Sequence, residues 1–249
     1  MQRIHNKTEK EIANEWDDIS SEREKLIETG GDISFNNVTK PYILRSLDKL
    51  PKNYSVVDCG CGTGELSASI SAKAKQVIGI DSSSKSIAIA KKKYRNISNL
   101  LLKNFSIIEY AKENISSSRY CIANMVLMDV LDLRGNIEAI NGILFNEGIF
   151  ILTITHPCYW PIYWEYFNKP WFEYDKEIII EAPFTISGSD SLGISTHVHR
   201  PLNMYINMLI MCGFKILSLE ELYPNNIVFN KNYSYKYPRF IGIKCQKVT

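Results

Sequence analysis

Acidic and glycine residues stand close together in Val56-Val57-Asp58-Cys59-Gly60-Cys61-Gly62-Thr63-Gly64-Glu65, where an apolar run ends in an acid. Glycines are needed where a backbone turns sharply and where a ligand lies against bare main chain. The order strand, glycine loop, helix is the entrance to a nucleotide-binding α/β unit. A dinucleotide fingerprint starting at Gly60 requires a small residue at position 65, where Glu65 stands. Asp58 and Glu65 would also repel a pyrophosphate seated on the helix N-terminus. A cofactor with a cationic centre and no phosphate meets no such conflict. S-adenosylmethionine, with its sulfonium and amino group, fits.

Gln76-Val77-Ile78-Gly79-Ile80-Asp81 reads as the next strand, ending in a second acid. Its distance from Asp58 suits an intervening helix and strand. Together the segments resemble motif I and the following acid of the class I S-adenosylmethionine-dependent methyltransferases. The resemblance implies that Asp58, Gly60, Cys61, Gly62, Gly64 and Glu65 surround the methionine part of the cofactor, and that Asp81, with Ser82, binds the ribose. It places Asn104 and Phe105 at the adenine, although the family more often has Asp at the first position, and Asn124 and Met125 at the methionine end. Trp16 and the Gly31-Asp32 loop are placed in an N-terminal lid. Thr155-His156-Pro157-Cys158 followed by aromatics, with Met125-Val126-Leu127-Met128-Asp129 and Tyr237-Pro238-Arg239-Phe240, resembles the small-molecule, type 11 subgroup.

The family implies a Rossmann-like α/β fold: a seven-stranded, mostly parallel sheet with helices on both faces, closed by an antiparallel hairpin. The residues agree. Leu100–Asn104, Tyr120–Leu127 and Gly148–Thr155 read as the third to fifth strands, and a helix around Ile137, Ile140 and Ile143 separates the last two. A helix over Leu202–Cys212 precedes strands over Phe214–Leu219 and Phe240–Val248. Ile12, Trp16 and Ile19 mark an early amphipathic helix, and Val38–Leu50 a second. These limits divide the chain into a helical lid (1–50), a cofactor-binding core (51–156), a cap (157–200) and a C-terminal completion of the core (201–249).

The cap holds three of the four tryptophans, including Trp160 and Trp164, in a connection whose length points to function. It covers the substrate or forms a satellite core of aromatics; both readings are compatible. Tyr159, Trp160, Trp164, His197 and His199 are the candidate acceptor contacts. Methyl transfer from a sulfonium requires alignment, exclusion of water and, for a weakly acidic acceptor, removal of a proton. His156 follows the fifth strand directly and is the candidate base, or else caps the strand end.

The bulk properties exclude more than they select. A chain of 249 residues with a net charge of +2 shows no electrostatic footprint for nucleic acid. No apolar run approaches the roughly 18 residues of a membrane span. Six cysteines without paired C-x-x-C spacing argue against zinc and any other metal, and for a cytoplasmic protein. The expected function is S-adenosylmethionine-dependent methylation of a small molecule. RNA or protein methylation and a non-catalytic nucleotide-binding role are the alternatives, and the oligomeric state is not legible.

Overall fold

Successive residues of a strand face opposite sides of its sheet, and here both sides are apolar. Val56, Ile122 and Ile151 pack on one face while Val57, Cys121, Phe150 and Leu152 pack on the other. A parallel sheet covered by helices on both faces requires that pattern. The computed structural model describes residues 1–48, 53–186, 190–224 and 236–248.

In chain order, β1 (Gln2–Ile4) and α1 (Glu9–Glu28) lead through a π-helical turn (Phe35–Thr39) to α2 (Lys40–Ser46). The core then alternates β2 (Ser55–Cys59), α3 (Glu65–Ser71), β3 (Gln76–Asp81), α4 (Ser84–Lys93), β4 (Leu100–Asn104), α5 (Ile107–Glu113), β5 (Ser118–Asn124), α6 (Leu133–Ile143) and β6 (Leu144–Thr155). The cap supplies α7 (Trp160–Tyr163), β7 (Ile178–Pro183) and β8 (Ile194–His199). The chain then runs through α8 (Leu202–Met211), β9 (Phe214–Leu222) and β10 (Phe240–Lys247).

Seven strands form one sheet in the order β4-β3-β2-β5-β6-β10-β9. The first five are parallel, and β10 runs antiparallel to both β6 and β9. The fold is the Rossmann-like methyltransferase sheet expected from the sequence. The order reverses between β2 and β5, so the crevice beyond their carboxyl ends is where this architecture places a ligand.

Several boundaries differ from the sequence reading. The fourth core strand, β5, ends at Asn124 rather than Leu127, because Met125 turns into the left-handed region at φ 60°. The sequence reading has no element at α5. β9 runs on to Leu222, beyond the Leu219 expected, and the short loop expected before β10 falls largely on residues 225–235, outside the described residues. The end of the second early helix at Leu50 lies outside the described residues.

A second sheet was not foreseen. In it β1 pairs antiparallel with β7, and β7 with β8. The N-terminus is thereby stitched to the cap. Glu15 on α1 reinforces the seam by accepting from the Thr196 N–H and hydroxyl at 2.9 and 3.1 Å. Lys7 pairs with both Glu15 and Glu181. Among the described residues no helix is long and apolar enough to cross a membrane.

One glycine fixes how α2 lies on the sheet. A Cβ on Gly242 of β10 would stand 2.3–2.6 Å from the buried ring of Tyr42. Neither the strand nor a ring with no exposure can retreat far. Gly242→Ala is expected to cost about 1–3 kcal/mol by overpacking, read as a lower urea midpoint. An unchanged midpoint would show that the ring finds another rotamer.

Candidate active site

The loop after β2 is bound to the end of β3. Gly60 and Cys61 both donate their N–H to the Ile80 carbonyl, at 2.8 and 2.9 Å. Gly62 donates to one oxygen of Asp81 at 2.8 Å, and Ser83 to the other at 2.7 Å. Gly60 has φ 71°, and a Cβ there would reach to 2.4 Å of Val126. Side chain and backbone thus both demand glycine. Asp58 is buried beneath the loop, with one oxygen accepting from Ser67 Oγ at 2.5 Å and the other without a hydrogen-bond partner. Burial, aided by the charge of Asp81 and opposed by Ser67, pushes its pKa up to about 7. Burial raises Asp81 too, against the two N–H donors that stabilise its ionised form.

A cavity of about 310 Å³ opens over this loop. Gly60, Gly62, Asp81, Ser82, Phe105, Asn124 and Met125 line it. Trp16, Trp160, Trp164 and His197 line it too. Trp16 meets Phe184 edge-on at 5.2 Å, so α1 and the cap close the space together. The cap is anchored below by Arg200, which is fully buried. It donates to the carbonyls of Leu127, Val130 and Leu131 and pairs with Glu177.

The comparisons with known proteins agree with this geometry. Residues 50–159 match the family Methyltransf_31, described as a methyltransferase domain. Over 125 residues the chain is 31% identical to a Saccharomyces cerevisiae protein named as a probable S-adenosylmethionine-dependent methyltransferase, covering 47% of this chain and 42% of that one. Over 121 residues it is 37% identical to the ubiquinone biosynthesis O-methyltransferase of Pelagibacter ubique, covering 48% and 50%. The match therefore spans about half the length of these curated relatives. A Listeria monocytogenes structure assigned to the S-adenosylmethionine-dependent methyltransferases superposes with a TM-score of 0.68 at 23% identity, covering 83% of this chain and 96% of that one. Residues 50–159 carry a class I S-adenosylmethionine-dependent methyltransferase domain. S-adenosylmethionine is the cofactor of that family.

The methyltransferase's own residues suit that cofactor. The unpartnered oxygen of Asp58 is a buried acceptor of the kind an ammonium needs, although Asp58 lies beneath the loop and lines a smaller pocket with Gly60, Asn124 and Arg23, not the main cavity. The Asp81 carboxylate keeps acceptor capacity beyond its two N–H bonds and faces the cavity, as a ribose diol requires. Arg23 lies 5.7 Å from the Trp16 ring centroid, pairs with Asp32 at 3.7 Å and lines the cavity. Its guanidinium is a cation on the cavity lining of the kind a ligand carboxylate needs. An ammonium, a diol and a carboxylate are the polar features of S-adenosylmethionine outside its base and sulfonium.

Other expected residues lie near the methyltransferase cavity without lining it. Glu65 is engaged by Lys40 at 2.7 Å and by the Tyr94 hydroxyl at 2.5 Å. Burial raises its pKa, but those two partners outweigh it and hold the carboxyl below its ordinary value. The negative charge read from sequence as facing the cofactor is therefore neutralised by lysine. A Cβ on Gly64 would meet Ala90 and Tyr94, so this glycine lets α4 approach the loop. Cys61 is buried beside Gly79, whose Cβ would lie 2.9 Å from its Sγ. Asn104 donates to the carbonyls of Asp81 and Ser82 at 2.8 and 3.0 Å, and so braces the turn that carries them.

The histidines divide in the same way. Thr155 lines the cavity, so His156, one residue on along the strand direction, turns aside. Its Nε2 lies 3.2 Å from Glu221 and its ring 4.5 Å from that of Tyr159, which stacks on Tyr237 at 5.1 Å. Neither His156 nor Tyr159 lines the cavity. This placement corrects the expectation that His156 faces the cleft, and fits its other reading, a residue that caps the strand end. His156→Ala is accordingly expected to change turnover by less than about fivefold, below the usual range for a general base. A hundredfold loss with the fold intact would restore the catalytic reading. His197 does line the cavity and contacts Trp160 and Trp164, with ring centroids at 6.3 and 5.4 Å. Burial, with His199 and Arg200 nearby, drives its pKa down to about 3, so it is a neutral imidazole. His199 is held by the Tyr166 hydroxyl at 3.3 Å and the Tyr174 carbonyl at 3.0 Å, outside the cavity.

Sequence reasoning missed Arg23 and Asp129 as site residues. Arg23 stands on the Ile12–Trp16–Ile19 stripe of α1, and a charge on an apolar stripe is the signal that was available. Asp129 ends the apolar run Met125–Met128, as Asp58 and Asp81 end theirs, but on a loop instead of a strand. Among the described residues no group of three or more His, Cys, Asp or Glu is placed to hold a metal ion.

Proposed function

We propose that this protein transfers the methyl group of S-adenosylmethionine to a small-molecule acceptor held beneath the aromatic cap. One observation carries the reading: Asp81 and the glycine loop line the same cavity as Trp160, Trp164 and His197. A cofactor seated on the loop fills one side of that space, and an acceptor under the cap fills the other. Asp58, Asp81 and Arg23 hold the cofactor by charge, with Phe105 at the base and Asn124 and Met125 beside the methionine. The protein's part in the displacement is alignment in a site from which α1 and the cap exclude water. One curated relative is named as an O-methyltransferase, which supports an oxygen acceptor without extending to the whole of this chain. A partly open cavity with aromatic walls favours a small acceptor over a nucleic acid or a protein side chain. Six cysteines, none in a disulfide, support a cytoplasmic setting.

The test is a metabolite extract incubated with cofactor carrying a labelled methyl group, with the labelled product identified by mass. Label in a small molecule supports the proposal, whereas label only in RNA or protein contradicts it. Trp164→Ala is expected to lower labelled product by about two- to tenfold, the scale of one aromatic contact at about 0.5–1.5 kcal/mol, with cofactor affinity unchanged. Equal loss of both, with a lowered melting temperature, would assign the ring to a satellite core.

A further inference from the structure

Two carboxyls stand among the aromatic and aliphatic residues of the cavity near the cap: Glu9, which accepts from the Leu131 N–H at 2.8 Å, and Asp129. Asp129 lines the cavity, and no hydrogen bond to its carboxyl is recorded from any described residue. Its backbone, by contrast, is fixed. The Asp129 N–H donates to the Val126 carbonyl at 2.9 Å, Val198 of β8 donates to Met128 at 2.7 Å, and Arg200 holds the carbonyls of Leu127 and Val130. An acid on a clamped loop, facing an aromatic cavity with no partner of its own, is organised for a ligand. We propose that Asp129 is the catalytic residue that accepts the proton of the methyl acceptor, and that the acceptor is a planar, largely apolar molecule presenting one neutral O–H or N–H donor. This deepens the methyltransferase reading and rests on it.

The step balances without a further reactant. A lone pair on the acceptor oxygen or nitrogen forms the bond to the sulfonium methyl carbon, and the carbon–sulfur bond breaks toward sulfur. The acceptor proton passes to the Asp129 carboxylate and then to water. The surroundings suit this role. Burial lifts the Asp129 pKa well above the ordinary carboxylate value; Arg23 and Arg200 oppose the rise, and Glu15 and Glu9 add to it. A raised carboxyl is a better base near neutrality. His197 in the same cavity stays neutral and does not compete for the charge. Glu9 and Asp129 on the cavity disfavour an anionic acceptor, while Trp16, Trp160, Trp164 and Phe184 offer faces to a flat ring.

The experiment uses the full chain saturated with S-adenosylhomocysteine and three probes sharing one ring system: 2-naphthol, 2-methoxynaphthalene and 2-naphthoate. Calorimetry is expected to show 2-naphthol binding about tenfold tighter than its methyl ether, the scale of a hydrogen bond to a charged group, with 2-naphthoate excluded. Asp129→Asn and Asp129→Ala are expected to abolish the preference for naphthol. Their folding is secure in sign. An acid whose folded pKa is raised costs stability once pH exceeds its unfolded value, so removing the charge at neutral pH does not destabilise. A carboxyl resonance that titrates above the ordinary range in ¹³C-aspartate spectra, and is lost in Asp129→Asn, provides a readout independent of turnover. Equal binding of naphthol and its ether, a preference that survives both substitutions, or no binding by any probe overturns the proposal. Failure of S-adenosylhomocysteine itself to bind would contradict the methyltransferase reading instead.

Discussion

Asp81→Ala is expected to weaken S-adenosylmethionine binding by roughly 10²–10⁴-fold, because two hydrogen bonds from ribose hydroxyls to a charged acceptor contribute about 1.5–3 kcal/mol each. The carboxylate also positions the loop that it serves, through Gly62 and Ser83. Asp81→Asn separates the two roles, since an amide oxygen can accept one of these N–H bonds while the charge is gone. Calorimetry on both variants, with circular dichroism as the folding control, checks the expectation. An unchanged dissociation constant for Asp81→Ala would remove the ribose from Asp81.

Cofactor affinity is expected to rise with pH through about 7, the value to which burial lifts Asp58. A ligand ammonium binds the ionised carboxylate, so every protonated Asp58 must first lose its proton. Below the raised pKa this costs up to about tenfold in affinity per pH unit, and above it the dependence levels off. Binding at pH 6 should therefore be about tenfold weaker than at pH 8, and Asp58→Asn should be weaker throughout with the slope removed. The sign for stability is the reverse. An acid with a raised folded pKa gives up stability as pH rises from its unfolded value toward the folded one, so Asp58→Asn is expected to fold without loss. A flat affinity profile in the unsubstituted protein would place the ammonium elsewhere.

The loop and strand ends proposed to hold the cofactor were legible because their residues end apolar runs. Asp58, Asp81 and Asn124 each stand at or beside the end of an apolar strand, and Gly60 and Gly62 after β2 take positive φ and line the cavity. Helix α5 was missed although Ser106-Ile107-Ile108-Glu109 spells a capping box that the structure forms in full. Strand β1 has no apolar pattern and exists because β7 offers it an edge more than 170 residues away in sequence. Contact order of that kind leaves no local trace. His156 was misjudged by one residue of alternation: the strand delivers Thr155 to the cavity and turns its neighbour toward Glu221. The roles of Glu65 and Gly64 were hidden for a different reason. Their partners Lys40, Ala90 and Tyr94 lie on other elements, and only packing brings them together.

The cap was legible as a composition and not as a structure. Its tryptophans announced an aromatic wall, but the sheet that holds it is built from β1, β7 and β8, and its anchor is a buried arginine reaching under the β5–α6 loop. That arginine also sets the position of Asp129, so the acceptor side depends on the cap twice.

Methyl transfer across the single cavity is the central claim, and single-turnover transfer of a labelled methyl group tests it most directly. The protein is loaded with one equivalent of methyl-labelled S-adenosylmethionine and mixed with a metabolite extract. The account predicts equal amounts of S-adenosylhomocysteine and of one labelled small molecule, both strongly reduced in Asp81→Ala. Bound cofactor that stays intact through the whole extract, or label recovered only in macromolecules, would contradict it.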